Sequence, residues 1–188
     1  MFIQTEATPN PNTLKFLPGK EVLGDKTAFF TDPQNAQASP LASALFVLLN
    51  IRAVFFGRDF ITVTKTEASQ WETLKPQILT TVMEHFQHGL PMLSPTQPSA
   101  SGADSDTAYA AEDEEIVEQI KELLEMRVRP AVAQDGGDIV FHSFREGIVR
   151  LSMRGACSGC PSSTATLKHG IENMLKHYIP EVIAVEAA

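Results

Sequence analysis

Apolar alternations and helical stripes succeed one another along the 188-residue chain, in two groups separated by a stretch that has neither pattern. Residues 2–6 and 13–17 read as short strands. They flank Thr8-Pro9-Asn10-Pro11-Asn12, where an Asn-Pro step and missing amide protons favour a tight loop. Residues 40–50 predict a helix with Leu41, Leu45, Leu48 and Leu49 on its buried side. Residues 53–65 are rich in Val, Ile, Phe and Thr, and Gly57-Arg58-Asp59 interrupts them as in a hairpin. Trp71, Leu74, Ile78, Leu79, Val82, Met83 and Phe86 then recur at helical spacing, with Pro76 in the first turns, where proline is better tolerated.

Periodicity fails between residues 91 and 111, where Pro91, Pro95, Pro98 and Gly102 block a continuous element. Beyond it, four acidic positions at 112–115 suit the positive end of a helix, and Ile116, Ile120, Leu123, Leu124 and Val128 form its apolar stripe. A kink or restart is expected at Pro130, and Asp135-Gly136-Gly137-Asp138 reads as a stop and turn. Residues 139–144 and 148–153 predict a hairpin turning at Glu146-Gly147. Val149, Leu151 and Met153 face one way, Arg150, Ser152 and Arg154 the other. Leu167, Ile171, Met174 and Leu175 mark a helix ending near Pro180, and residues 182–185 a last strand. The expected fold is α+β: two small α+β domains, 1–90 and 112–188, joined by a flexible linker over 91–111.

Composition narrows the function. Hydrophobic residues at 43% with 20% charged predict an ordinary packed core. A net charge of −8 leaves no basic excess to neutralise phosphates, so nucleic acid is not an expected partner. No apolar run approaches a membrane span, and no membrane association or export signal is expected. Two closely spaced cysteines make no disulfide framework, which points to a reducing compartment. The bacterial cytoplasm is the simplest assignment, with the mitochondrial matrix as the alternative if a presequence has been removed.

Those two cysteines, Cys157 and Cys160, are the chain's only thiols, set in Gly155-Ala156-Cys157-Ser158-Gly159-Cys160-Pro161-Ser162-Ser163. Zinc sites and iron–sulfur clusters usually take four protein ligands, so a single pair is two short. Pro161 suits the first helical position, which places Cys160 at a helix cap and Cys157 on the approach. A helix start lowers a thiol's pKa, so both are expected to favour the thiolate, and neither is expected to be buried. Three readings compete at this point. A cluster could bridge two identical chains. A dithiol–disulfide oxidoreductase could cycle the pair, although a hairpin precedes the motif where a parallel strand of a βαβ unit would be expected. The pair could instead be purely structural, either sharing zinc at a dimer contact or sitting as two buried thiols. His142, His169 and His177 read as ordinary surface histidines.

The run Arg129-Pro130-Ala131-Val132-Ala133-Gln134-Asp135-Gly136-Gly137-Asp138, followed by the cysteine motif, closely resembles the C-terminal domain of NifU. Thr8-Pro9-Asn10-Pro11-Asn12-Thr13-Leu14-Lys15-Phe16 resembles the start of the N-terminal domain of NifU-like (Nfu) proteins. The resemblance implies a carrier rather than an enzyme. Cys157 and Cys160 from each of two protomers would hold a labile 4Fe–4S cluster in a cluster-bridged homodimer, with 2Fe–2S as the other form such a site accepts. An upstream donor would load the cluster, and apo iron–sulfur proteins would receive it. The domain before the linker has no cysteine, so its implied role is contact with donors or recipients.

Overall fold

A computed structural model of the chain describes residues 2–94, 109–158 and 161–188, with only the backbone of 161–163. It divides into two compact units, Met1–Gly102 and Ala103–Ala188. Residues 95–108, the middle of the segment read as a linker, lie outside the described residues. At that segment's edges, Met92 and Leu93 pack on the first core and Tyr109 on the second.

The first unit is a five-stranded antiparallel sheet backed by helices. Strands β1 (Gln4–Ala7), β2 (Thr13–Leu17), β3 (Ala28–Phe30), β4 (Ile51–Phe56) and β5 (Ile61–Lys65) lie in the order β1-β2-β5-β4-β3. The expected loop between β1 and β2 is held by its own side chains: Thr8 Oγ1 donates to the Asn10 carbonyl at 2.9 Å, and Asn12 N–H donates to Asn10 Oδ1 at 3.0 Å. Helix α1 (Pro33–Ala36) is capped by Asp32 and α2 (Pro40–Val47) by Ser39, each with proline at the helix start. Leu41 and Leu45 of α2 are buried as expected. Leu49 is not: α2 ends at Val47, and Leu49, beyond the end, is 81% exposed.

Helix α3 (Trp71–Gln87) buries Leu74, Ile78 and Val82, together with His85. Pro76 lies inside α3, close to its start. Among the described residues His85 Nε2 has no hydrogen-bond partner, and burial lowers the imidazole pKa.

In the second unit, α4 (Glu114–Leu123) runs through a wide turn, Leu124–Val128, into α5 (Arg129–Gln134). Pro130 has no N–H to give the carbonyl four residues back, and its ring would crowd that carbonyl. The backbone responds by widening: Arg129 N–H donates to Leu124 O, five residues back. The expected kink is thus a π-turn just ahead of the proline. Val117, Ile120, Leu124, Val128 and Val132 form the buried face. Their last two four-residue steps span the residue that the wide turn absorbs.

A three-stranded sheet, β6-β7-β8, completes this unit: β6 (Gly137–Arg145), β7 (Ile148–Gly155) and β8 (Ala184–Ala187). Glu146 (φ 50°) and Gly147 (φ 79°) make the expected two-residue turn, both left-handed as a type I′ hairpin requires. Strand β6 starts two residues earlier than the sequence suggests. Only Asp135 and Gly136 turn, while Gly137 and Asp138 already pair with Gly155 and Arg154. Helix α6 (Pro161–Tyr178) follows β7 and returns the chain to β8, which runs parallel to β7. Among the described residues no helix is long and apolar enough to cross a membrane.

Candidate functional site

The cysteine loop leaves the end of β7 and enters the start of α6. Gly155, at φ 65°, supplies the left-handed residue that lets the chain leave the strand sharply. Ala156 N–H donates to the Gly136 carbonyl (3.1 Å), and Ser158 N–H to the Gly155 carbonyl (3.0 Å). From the first turn of α6, Thr164 Oγ1 donates to the Cys157 carbonyl at 3.2 Å. Helix α6 begins at Pro161, as a proline at the first helical position should allow. Cys160 lies outside the described residues.

Cys157 departs from expectation. It is a free cysteine, only 6% exposed, and packs in the second unit's apolar cluster with Ile139, Leu151 and Ile171. Its place is made by Gly137, whose bare Cα lies under Sγ; a methyl there would overlap the sulfur. Burial pushes the Cys157 thiol up to about 12, and the charges of Asp135 and Asp138 add to the effect. Here burial is the largest influence on the thiol.

The turn beneath the loop is anchored by an ion pair. Asp138, at 4% exposure, receives Arg129 Nε at 2.8 Å and a second guanidinium nitrogen at 3.1 Å, and accepts its successor's N–H, from Ile139, at 2.9 Å. Arg129 also reaches Glu125 at 2.6 Å. Burial alone would lower the arginine's pKa. Hydrogen bonds and charge from Asp138 and Glu125 outweigh it and hold the guanidinium above its ordinary value. This pair gives the Asp135–Asp138 segment more than a turning role, because it fixes the strand on which Cys157 rests. Helical spacing alone does not reveal it, since Arg129 and Asp138 sit on different elements.

His142, His169 and His177 are exposed, as expected. The element order differs from the expected one. Strand β7 closes the hairpin and is also the first strand of a parallel β7–α6–β8 unit, so the cysteine pair does follow a βαβ strand. The order of elements therefore does not speak against a redox role.

Residues 3–89 match the family model described as scaffold protein Nfu/NifU N terminal, and residues 120–186 match the NifU-like domain. Proteins from Drosophila persimilis and Drosophila ananassae, each named NFU1 iron-sulfur cluster scaffold homolog, mitochondrial, are 52% identical over 187 residues. Those matches take in 99% of this chain and 64% of each relative, so the chain spans just under two thirds of their length. A solution NMR structure of a NifU-like protein from Saccharomyces cerevisiae shares 28% identity, covering 50% of this chain and 86% of its own, with a TM-score of 0.44. With the two domain matches standing in this order along one polypeptide, the chain belongs to the NifU-like (Nfu) family.

Proposed function

We propose that this chain carries a labile iron–sulfur cluster and passes it to apo-proteins, holding it through Cys157 and Cys160 from each of two protomers. The observation that carries the reading is ligand arithmetic within the NifU-like domain: the chain has two cysteines, both in one loop, and a four-thiolate site needs two such loops. On this reading the cargo is 4Fe–4S, the homodimer is bridged by the cluster, and the domain at 1–90 meets donors or recipients across a linker at 91–111. The names of the fly relatives, which say mitochondrial, support a mitochondrial compartment over the bacterial cytoplasm. Transfer proceeds by ligand exchange, in which recipient thiolates replace those of the carrier one after another. Separating two chains removes two ligands together, which keeps such a cluster easy to release.

Anaerobic reconstitution with iron and sulfide tests this. About four irons and four sulfides per two chains, on a dimer with a broad band near ~400 nm, is the expected result. A Cys157→Ser variant that keeps a full cluster and stays dimeric would refute the bridging arrangement.

The βαβ setting of the pair favours one second reading, a dithiol–disulfide oxidoreductase. The burial of Cys157 bears on both readings, because attack on a disulfide and ligation of a cluster each need an accessible thiolate. Insulin reduction coupled to thioredoxin reductase separates the two: a carrier gives no appreciable turnover.

A further inference from the structure

A cluster shared between chains needs its ligands at the surface, yet the thiol of Cys157 is covered. Its seat is specific. Gly137 pairs with Gly155 across β6 and β7, so neither strand presents a side chain at that level. A methyl on Gly137 would overlap Cys157 Sγ, and would stand 3.0 Å from the Arg154 carbonyl and 3.1 Å from the Cys157 nitrogen. Two hydrogen bonds close the loop over this seat, Ala156 N–H to the Gly136 carbonyl and Thr164 Oγ1 to the Cys157 carbonyl.

We propose that Gly137 is a positioning residue: its bare Cα is the seat in which the Cys157 thiol is stowed in the unloaded protein, and the loop must lift the sulfur off that seat to ligate a cluster. This inference rests on the carrier reading. Stowed and ligating arrangements of one thiol exclude each other, so the apparent cluster affinity is the intrinsic affinity reduced by the fraction of lifted loops. On loading, the lifted thiol gives its proton to water as the thiolate binds iron. On release, a recipient thiolate takes its place on iron, and the freed thiolate regains a proton from water and returns to Gly137, which favours handing the cluster on. The seat thereby sets how tightly the cargo is held.

The test uses the metal-free, full-length chain and N-ethylmaleimide at one fixed pH. Modification at Cys157 is resolved from Cys160 by peptide fragmentation. Native Cys157 should react at least about tenfold more slowly than in the guanidinium-unfolded chain, the protection expected of a group exposed only by local opening. Gly137→Ala should raise the native rate by about tenfold, and it should destabilise the wild-type background far more than a Cys157→Ala background. Native protection that is absent, a rate unchanged in folded Gly137→Ala, or equal destabilisation in both backgrounds would each overturn the proposal. If Gly137→Ala does not fold, the native-against-unfolded comparison decides. No step involves iron, so a failed reconstitution would remove the carrier reading while leaving the stowed thiol as measured.

Discussion

Replacing Arg129 with leucine should unfold the second unit well before the first. The substitution keeps the aliphatic bulk of the side chain but removes the guanidinium paired with Asp138, which is 4% exposed. Removing one member of a buried pair typically costs about 3–5 kcal/mol. The Arg129 side chain is 30% exposed, so water can reach the vacated side of the carboxylate, and the expected cost falls to about 2–4 kcal/mol. Asp138→Asn keeps an oxygen for the Ile139 N–H and buries no charge, so it should cost less, about 1–2 kcal/mol. The double variant should cost less than the sum, since the two side chains interact directly. Urea unfolding followed by circular dichroism reads these differences. With a slope of about 1 kcal/mol per molar urea for a unit of this size, Arg129→Leu should lower the second unit's midpoint by roughly 2–4 M. Trp71, the chain's only tryptophan, belongs to the first unit, and its fluorescence transition should not move. A shift below about 0.5 kcal/mol, or an Asp138→Asn variant as damaged as Arg129→Leu, would refute the claim that charge at Asp138 needs this guanidinium.

Four further outcomes are expected. Burial lowers the pKa of His85 below the ordinary 6.5, so the unfolded chain takes up a proton first. The stability of the first unit should be fully present above about pH 6.5 and fall as pH drops toward the lower folded value. His85→Leu should flatten that dependence in Trp71 unfolding curves, and an unchanged slope would count against it. Gly147→Ala places a methyl 2.7 Å from Ile183 and 2.8 Å from the Glu181 carbonyl at φ 79°, which should cost about 2–4 kcal/mol in thermal unfolding. Glu146→Gly, by contrast, relieves a left-handed non-glycine residue and should lie between neutral and about 1 kcal/mol stabilising. Glu172 has a lowered pKa because it accepts from Lys176 and from the Val185 N–H of β8. Its contribution is present above the ordinary carboxyl value and lost as pH falls through the depressed folded value. Glu172→Gln should therefore destabilise at pH 7 and show no difference once both carboxyl forms are protonated.

Elements with a long apolar period were legible in the sequence, as α3, β7 and α6 show. Strand β3 and helix α1 were not, because three and four residues are too few for a period to emerge. The parallel course of β8 depends on where α6 returns the chain: Gly147 O accepts Ile183 N–H at 2.7 Å and Ala184 N–H at 3.2 Å, contacts between residues far apart in sequence. The helix start at Pro161 was readable from residue type. The burial of Cys157 was not, since a glycine twenty positions earlier creates its seat and only the β6–β7 register brings the two together. Asp138 looked like a turn residue for the same reason, its partner Arg129 lying on α5.

The wide turn at Leu124–Val128 has a consequence for chain length. It stores one residue of slack, which is why the faces of α4 and α5 remain in phase although the sequence between them is a residue too long for a regular helix. Deleting the exposed Met126 would take up that slack and leave Val132 facing the core and Arg129 facing Asp138. It would also press the Pro130 ring against the Glu125 carbonyl. The insertion and the proline therefore form a matched pair: a shorter helix at this point calls for a different residue at 130, and a non-proline at 130 makes the extra residue dispensable.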